Sequence, residues 1–148
     1  MKSTITGRAS IEIDAPVQKV WEALTTPQLI KQYFFGTNAI SDWKVGSPII
    51  FKGEWEGKHY QDKGTILSIV PLKLFRYTYW SSMSGIEDKP ENYVIVTYNL
   101  FENGKRSLLT VVQENIPDQK TKEHSEENWN TVLTALKNLL ERNAVAAL

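Results

Sequence analysis

The 148 residues carry 17 Lys plus Arg against 17 Asp plus Glu, two His and no Cys, with 41% hydrophobic and 11% aromatic content. That composition excludes disulfides, Cys-ligated metals, iron–sulfur clusters and thiol nucleophiles, and the balanced charge argues against a nucleic-acid partner. His59 and His124 are the only imidazoles and lie far apart in sequence, so neither a His-built metal cage nor a Ser-His-Asp triad is expected and no cofactor is called for.

In chain order, Ile11-Glu12-Ile13 closes a first alternating strand. Asp14-Ala15-Pro16 then reads as a helix start with Pro at the first helical position. Val17, Val20, Trp21 and Leu24 follow at i, i+3, i+4 and i+7, one apolar helix face. Thr26-Pro27 opens a second short helix carrying Leu29, Ile30, Tyr33 and Phe34, which stops near Gly36. From Ser47 to Glu114 the period becomes two. Gly57-Lys58 reads as a two-residue hairpin loop, placing Trp55 opposite Tyr60, Gly53 opposite Asp62 and Phe51 opposite Gly64. Asn103-Gly104 is the second turn, with Leu100 opposite Ser107, Tyr98 opposite Leu109, Val96 opposite Val111 and Val94 opposite Gln113, all on the more apolar face. The strand from Leu74 to Trp80 has two registers: one turns Arg76, Thr78 and Trp80 inward, the other Phe75, Tyr77 and Tyr79. After Pro117, Trp129, Val132, Leu133, Leu136, Leu139 and Leu140 form the stripe of a long helix of about five turns, and the tail from Ala144 is expected to fray.

The fold class is therefore α+β. A curved antiparallel sheet of about six to seven strands wraps a long C-terminal helix, with two short helices after strand 1, in one undivided domain spanning 1–148. A sheet with one apolar face must be covered, and only the last helix is long enough. A ligand cavity would lie between sheet and helix, near the short helices.

Val20-Trp21-Glu22-Ala23-Leu24-Thr25 with Pro27 and Tyr33-Phe34, the strand end Tyr79-Trp80, and His124-Ser125-Glu126-Glu127-Asn128-Trp129 followed by Leu133, Leu136-Lys137 and Leu140-Glu141 resemble the START-like (SRPBCC) superfamily. Within it they are similar to the branch named for the activator of heat-shock protein 90 ATPase. The resemblance spans nearly the whole chain and implies the helix-grip fold. The departure is Tyr33-Phe34-Phe35, where the family often shows a Trp pair, which changes the shape expected at the pocket entrance. Function is less constrained, because this fold hosts lipid carriers, cyclases and co-chaperone domains.

The sixteen aromatic residues exceed what a plain core needs. Phe34, Phe51, Trp55, Tyr98 and Trp129 are candidates for a pocket wall, with Trp80 added in one register and Leu133 from the helix stripe; core packing is the competing reading for each. Asp62 and Gln113 are the polar positions on predicted inner faces. Asp62 would suit acid–base work if buried, whereas a bulge between Tyr60 and Thr65 would turn it to water. Gln113 would bind a ligand carbonyl or satisfy a helix-terminal group. Arg76 is an anion anchor in one register and a surface side chain in the other. His59 is read as solvated and His124 as exposed or capping. No catalytic set and no metal-ligand spacing is evident.

The first reading is thus a small-molecule binding domain for a hydrophobic, aromatic or lipid-like ligand. The alternatives are a cyclase- or hydrolase-type enzyme using Asp62 as base, with a Tyr hydroxyl or Gln113 as polariser, and a chaperone-interacting protein. The last is disfavoured because the activator carries an additional N-terminal domain. A homodimer is open. Without an apolar run of secretory or membrane-spanning length, a cytoplasmic location with no membrane span is expected.

Overall fold

The computed structural model describes residues 4–146, the side chains of Trp55 and of residues 143–146 excepted. Seven antiparallel strands form one open sheet in the order β1-β7-β6-β5-β4-β3-β2. β1 (Ile5–Ile13) is followed by α1 (Val17–Thr25) and α2 (Pro27–Tyr33). Then come β2 (Asn38–Ser41), β3 (Pro48–Trp55), β4 (Lys58–Val70), β5 (Leu74–Tyr79), β6 (Val94–Asn103), β7 (Arg106–Ile116) and α3 (Gln119–Ala146). This is the helix-grip fold, with α3 laid against the inner face of the sheet. No described helix is long and apolar enough to cross a membrane.

Alternation builds the inner face. Ile13, Ile49, Ile66, Phe75, Val96, Leu109 and Val111 are buried there, against Val132, Leu133, Leu136, Leu139 and Leu140 of α3. Such burial of large apolar side chains contributes roughly 1.5–3 kcal/mol each before chain entropy is set against it. Pro16 stands just outside α1, in an extended conformation, whereas Pro27 does occupy the first turn of α2. The two short helices are tied together by Tyr33, whose buried hydroxyl donates to the carbonyl of Ala23 at 2.8 Å. Ser107 of β7 likewise donates to Ala15 O at 2.7 Å, anchoring the entry to α1.

Both hairpins turn one residue away from the predicted place. At the first, Trp55 pairs with Lys58, so the loop is Glu56-Gly57, and both residues hold the positive φ (50° and 80°) of a type I′ turn. Asp62 therefore faces Phe51, and Gly53 faces Tyr60, whose ring lies over the missing Cβ. At the second, Asn103 pairs with Arg106 around Gly104-Lys105, and Val96 faces Gln113. Each correction moves the pairing by two residues, so the side chains keep the faces that alternation assigns them.

The open register of β5 is decided by two local features. A bulge in β4 between Ile66 and Ser68, and a three-residue loop in which Leu72 takes φ 68°, together turn Phe75, Tyr77 and Tyr79 inward. Arg76 points outward and pairs with Glu114 at 3.5 Å. β2 is an additional strand before the predicted period-two region. α3 runs 28 residues, about eight turns, because Asp118 Oδ1 caps it by accepting the Thr121 N–H at 2.7 Å. Ala144, Val145 and Ala146 continue the helix rather than fray; Ala147 and Leu148 lie outside the described residues.

α3 is pinned along β1, an edge strand. Glu126 Oε2 accepts the Arg8 N–H at 2.8 Å, Lys137 Nζ donates to Glu12 O at 3.0 Å, and Glu141 Oε2 accepts the Asp14 N–H at 2.9 Å. The Lys137 ammonium and the Asp14 N–H hold the Glu141 carboxyl below its ordinary value. A carboxyl lowered on folding contributes stability that is present at neutral pH and is lost as pH falls through its folded value. Glu141→Gln should therefore lower stability at pH 7, and its deficit against wild type should shrink as the pH is lowered through the carboxylate range, read by thermal unfolding. Gly64→Ala should cost about 1–3 kcal/mol in urea unfolding, because a Cβ there would collide with the carbonyl oxygen of Thr78 on the neighbouring strand.

Candidate functional site

Towards its N-terminal end α3 stands away from the sheet and leaves an open pocket of about 630 Å³. The sheet supplies its floor through Phe51, Asp62, Tyr77, Tyr79 and Val96, and α3 supplies the opposite wall through His124, Ser125, Asn128, Trp129 and Val132. Phe34 and Phe35, which follow α2, close one end, and Met83, beyond β5, stands at the rim. Phe35 and Met83 are close to half exposed (47% and 48%), so the mouth itself is apolar. The aromatic rings are contiguous. Phe34 stacks on Phe51 with centroids 6.3 Å apart and meets Trp129 edge-on at 6.0 Å, and Phe51 meets Tyr79 at 5.7 Å. Offset and edge-to-face arrangements of this kind suit the ring quadrupoles.

Polar groups interrupt this surface at Asp62, Gln113 and the Thr37–Tyr60 pair. Asp62, only 7% exposed, accepts from the Tyr79 hydroxyl through Oδ2. Its Oδ1 accepts from the Ser82 N–H at 3.0 Å and from Ser82 Oγ at 3.4 Å. Burial, followed by the neighbouring Asp62 charge, pushes the Tyr79 phenol well above its ordinary value, and burial does the same to Tyr77. Both phenols are protonated at physiological pH, as an ordinary phenol is, and Tyr79 donates its hydrogen to Asp62. Gln113 offers its Oε1 to two donors of α3, Trp129 Nε1 and Ser125 Oγ, each at 2.8 Å. Because an indole N–H can only donate, the carbonyl end of the amide is fixed towards the helix. Thr37, almost fully buried, pairs its hydroxyl with that of Tyr60.

Among the residues singled out in the sequence, Phe34, Phe51, Asp62, Gln113 and Trp129 come together in this pocket. Asp62 keeps its inward position because the bulge of β4 falls beyond Thr65. Tyr98 is buried behind Trp129, edge-on at 5.7 Å, and Leu133 is 1% exposed in the core; neither lines the pocket. Trp80 lies on the outer face, where its indole N–H donates to Ile86 O at 3.0 Å and Lys63 Nζ sits 5.9 Å from its ring centre. The register that turns Phe75 inward turns Trp80 outward. The Trp55 side chain lies outside the described residues. His124, read as exposed or capping, is exposed and also borders the pocket. Tyr60, Thr37 and Met83 are not among the candidate pocket residues of the sequence. Tyr77 and Tyr79 were present in one of the two β5 registers, whereas Thr37 and Met83 sit in loops without periodicity to reveal them.

The family described as activator of Hsp90 ATPase homolog 1-like protein matches residues 14–141. The chain belongs to that family. No curated protein matches it. Among solved structures it is similar to protein ChR145 from Cytophaga hutchinsonii, at 44% identity and a TM-score of 0.83, over 98% of this chain and 99% of that one. It is also similar to CV1439 from Chromobacterium violaceum, at 26% identity and a TM-score of 0.75, over 92% and 96% of the two chains. The Aha1 dimer from Colwellia psychrerythraea, at 19% identity and a TM-score of 0.74 over 93% and 97%, shares the fold. In this member of the activator-homologue family, Phe34 and Phe35 stand at the end of α2 beside the pocket mouth.

Gln113 is the polar link between sheet and helix at this site. Gln113→Leu leaves the Trp129 N–H and the Ser125 hydroxyl without their acceptor, and should cost about 1–3 kcal/mol in urea unfolding. The double variant with Trp129→Phe should recover part of that loss.

Proposed function

We propose that the protein binds a small hydrophobic or aromatic molecule between the sheet and the N-terminal half of α3. The observation that carries this reading is the contiguous aromatic surface of Phe34, Phe51, Tyr79 and Trp129 around an open volume of about 630 Å³. Volumes of about 300–1,000 Å³ with apolar walls and a few convergent polar groups are what drug-sized ligands occupy. Transfer of an apolar ligand surface out of water supplies the affinity, at roughly 25 cal/mol per Å². Asp62, the Tyr60–Thr37 pair and Gln113 supply orientation.

Acid–base catalysis is the second reading, favoured by the inward position of Asp62. Tyr79 and Ser82 hold its two oxygens with three donors, and among the described residues no second carboxylate lines the pocket to share a proton transfer with it. Binding without chemistry is therefore the preferred assignment. A chaperone-directed role rests on the family description alone and has no feature of the pocket behind it. Self-association is proposed by analogy with the Colwellia dimer, and light scattering at micromolar concentration tests it.

Trp129 in the pocket wall makes binding visible. A panel of apolar aromatic compounds should quench or shift Trp emission at micromolar levels, and Trp129→Phe should abolish the response. Phe51→Ala should weaken binding at least about tenfold, the scale of one lost aromatic contact, while circular dichroism stays unchanged. A panel without any response, or a response that survives Trp129→Phe and Phe51→Ala, refutes the assignment.

A further inference from the structure

We infer that the pocket is built for an organic cation, an amine or quaternary ammonium with an apolar body, whose charged end sits against Asp62. This rests on the pocket being a ligand site, and adds the chemistry of the ligand. Asp62 is buried and lines the pocket. Its hydrogen bonds are all donated to it, by Tyr79 and by the N–H and hydroxyl of Ser82, the pattern of an ionised carboxylate. Among the described residues it has no ion-pair partner, and no Lys or Arg lines the pocket. The adjacent ammonium, Lys63 Nζ, lies on the other face of β4, paired with Asp88 at 2.7 Å. A carboxylate withdrawn from water without a cation is costly, and the cost is offset when a cation arrives.

The surroundings of Asp62 repeat the same preference. Its cross-strand neighbour is Phe51, and the Phe51 ring lies against Tyr79, which itself donates to Asp62. A cation seated at the carboxylate thus lies beside the phenol oxygen of Tyr79 and next to the cross-strand Phe51. A carboxyl of two oxygens offers about four lone-pair positions, and three donors leave one for an ammonium N–H. An anionic ligand would meet repulsion from Asp62, and among the described residues no Lys or Arg lines the pocket to compensate it. Fatty acids and acidic lipids are therefore disfavoured at the polar end of the site.

The test compares three probes of one shape, 4-phenylbutylamine, 4-phenylbutanol and 4-phenylbutyrate, by Trp fluorescence or calorimetry on the full chain at about pH 8, where free histidine is neutral. The amine should bind at least about tenfold tighter than the alcohol, as a charge-assisted bond does over a neutral one, and the carboxylate should bind weakest. Asp62→Asn should bring amine and alcohol to within about threefold of each other. If that variant does not fold, the wild-type order decides alone. Equal binding of amine and alcohol, or a preference for the carboxylate, overturns the cation assignment and leaves the pocket as an apolar site. Failure of all three probes together with the apolar panel removes the ligand site itself.

Discussion

The edge of β1 is where this fold is secured. An edge strand presents backbone N–H and C=O groups with no ladder partner, and here α3 answers them. Glu126 and Glu141 take the N–H groups of Arg8 and Asp14, and Lys137 takes the carbonyl of Glu12. The three contacts are spread over residues 126–141 of the helix and residues 8–14 of β1 and its end, so they set the direction of α3 as well as its place. Gly7 lies beside the same contact, where a Cβ would press on Ile116 Cδ1 at 3.1 Å and touch Glu126 Cγ at 3.4 Å.

With the helix tied to that edge, its apolar stripe falls on the inner face in one way. Leu133, Leu136, Leu139 and Leu140 are driven into the core beside Leu109 and Val111, while the preceding turns lie over β3 to β6, where the sheet presents aromatic rings. The rings of Phe51, Tyr77 and Tyr79 floor the open volume opposite the first half of the helix, and Trp129 and Gln113 bridge helix and sheet beside it.

The proposed ligand site joins two features, a contiguous aromatic wall that would favour apolar bodies and one buried carboxylate that would choose among their polar ends. Tyr79 and Ser82 hold Asp62 in place. Membership of the activator-homologue family accounts for the frame around these residues. The specific content of the site is carried by side chains on that frame, which is how one fold serves many chemistries.

Much of this was legible in the residues themselves. Alternation assigned Val96, Tyr98, Leu100, Leu109 and Val111 to the core face, helical spacing marked the buried stripe of α3, and the two short helices followed from Pro27 and the apolar residues around it. Those assignments survive because they depend on period alone, and a pairing shifted by two residues leaves every side chain on its own face. The opposing partners were another matter. Which residues sit in a hairpin loop depends on who accepts positive φ, and Glu56 does so beside Gly57. The bulge after Ile66 and the Leu72 turn decided that Tyr77 and Tyr79 join the pocket and Trp80 leaves it. The sequence by itself therefore determined the fold class, the buried faces and the absence of thiol chemistry. Only the tertiary structure decided that Asp62, Tyr79 and Phe51 meet under Trp129, because that meeting requires strand registers, a bulge and a helix position, none of which is a local property of the chain.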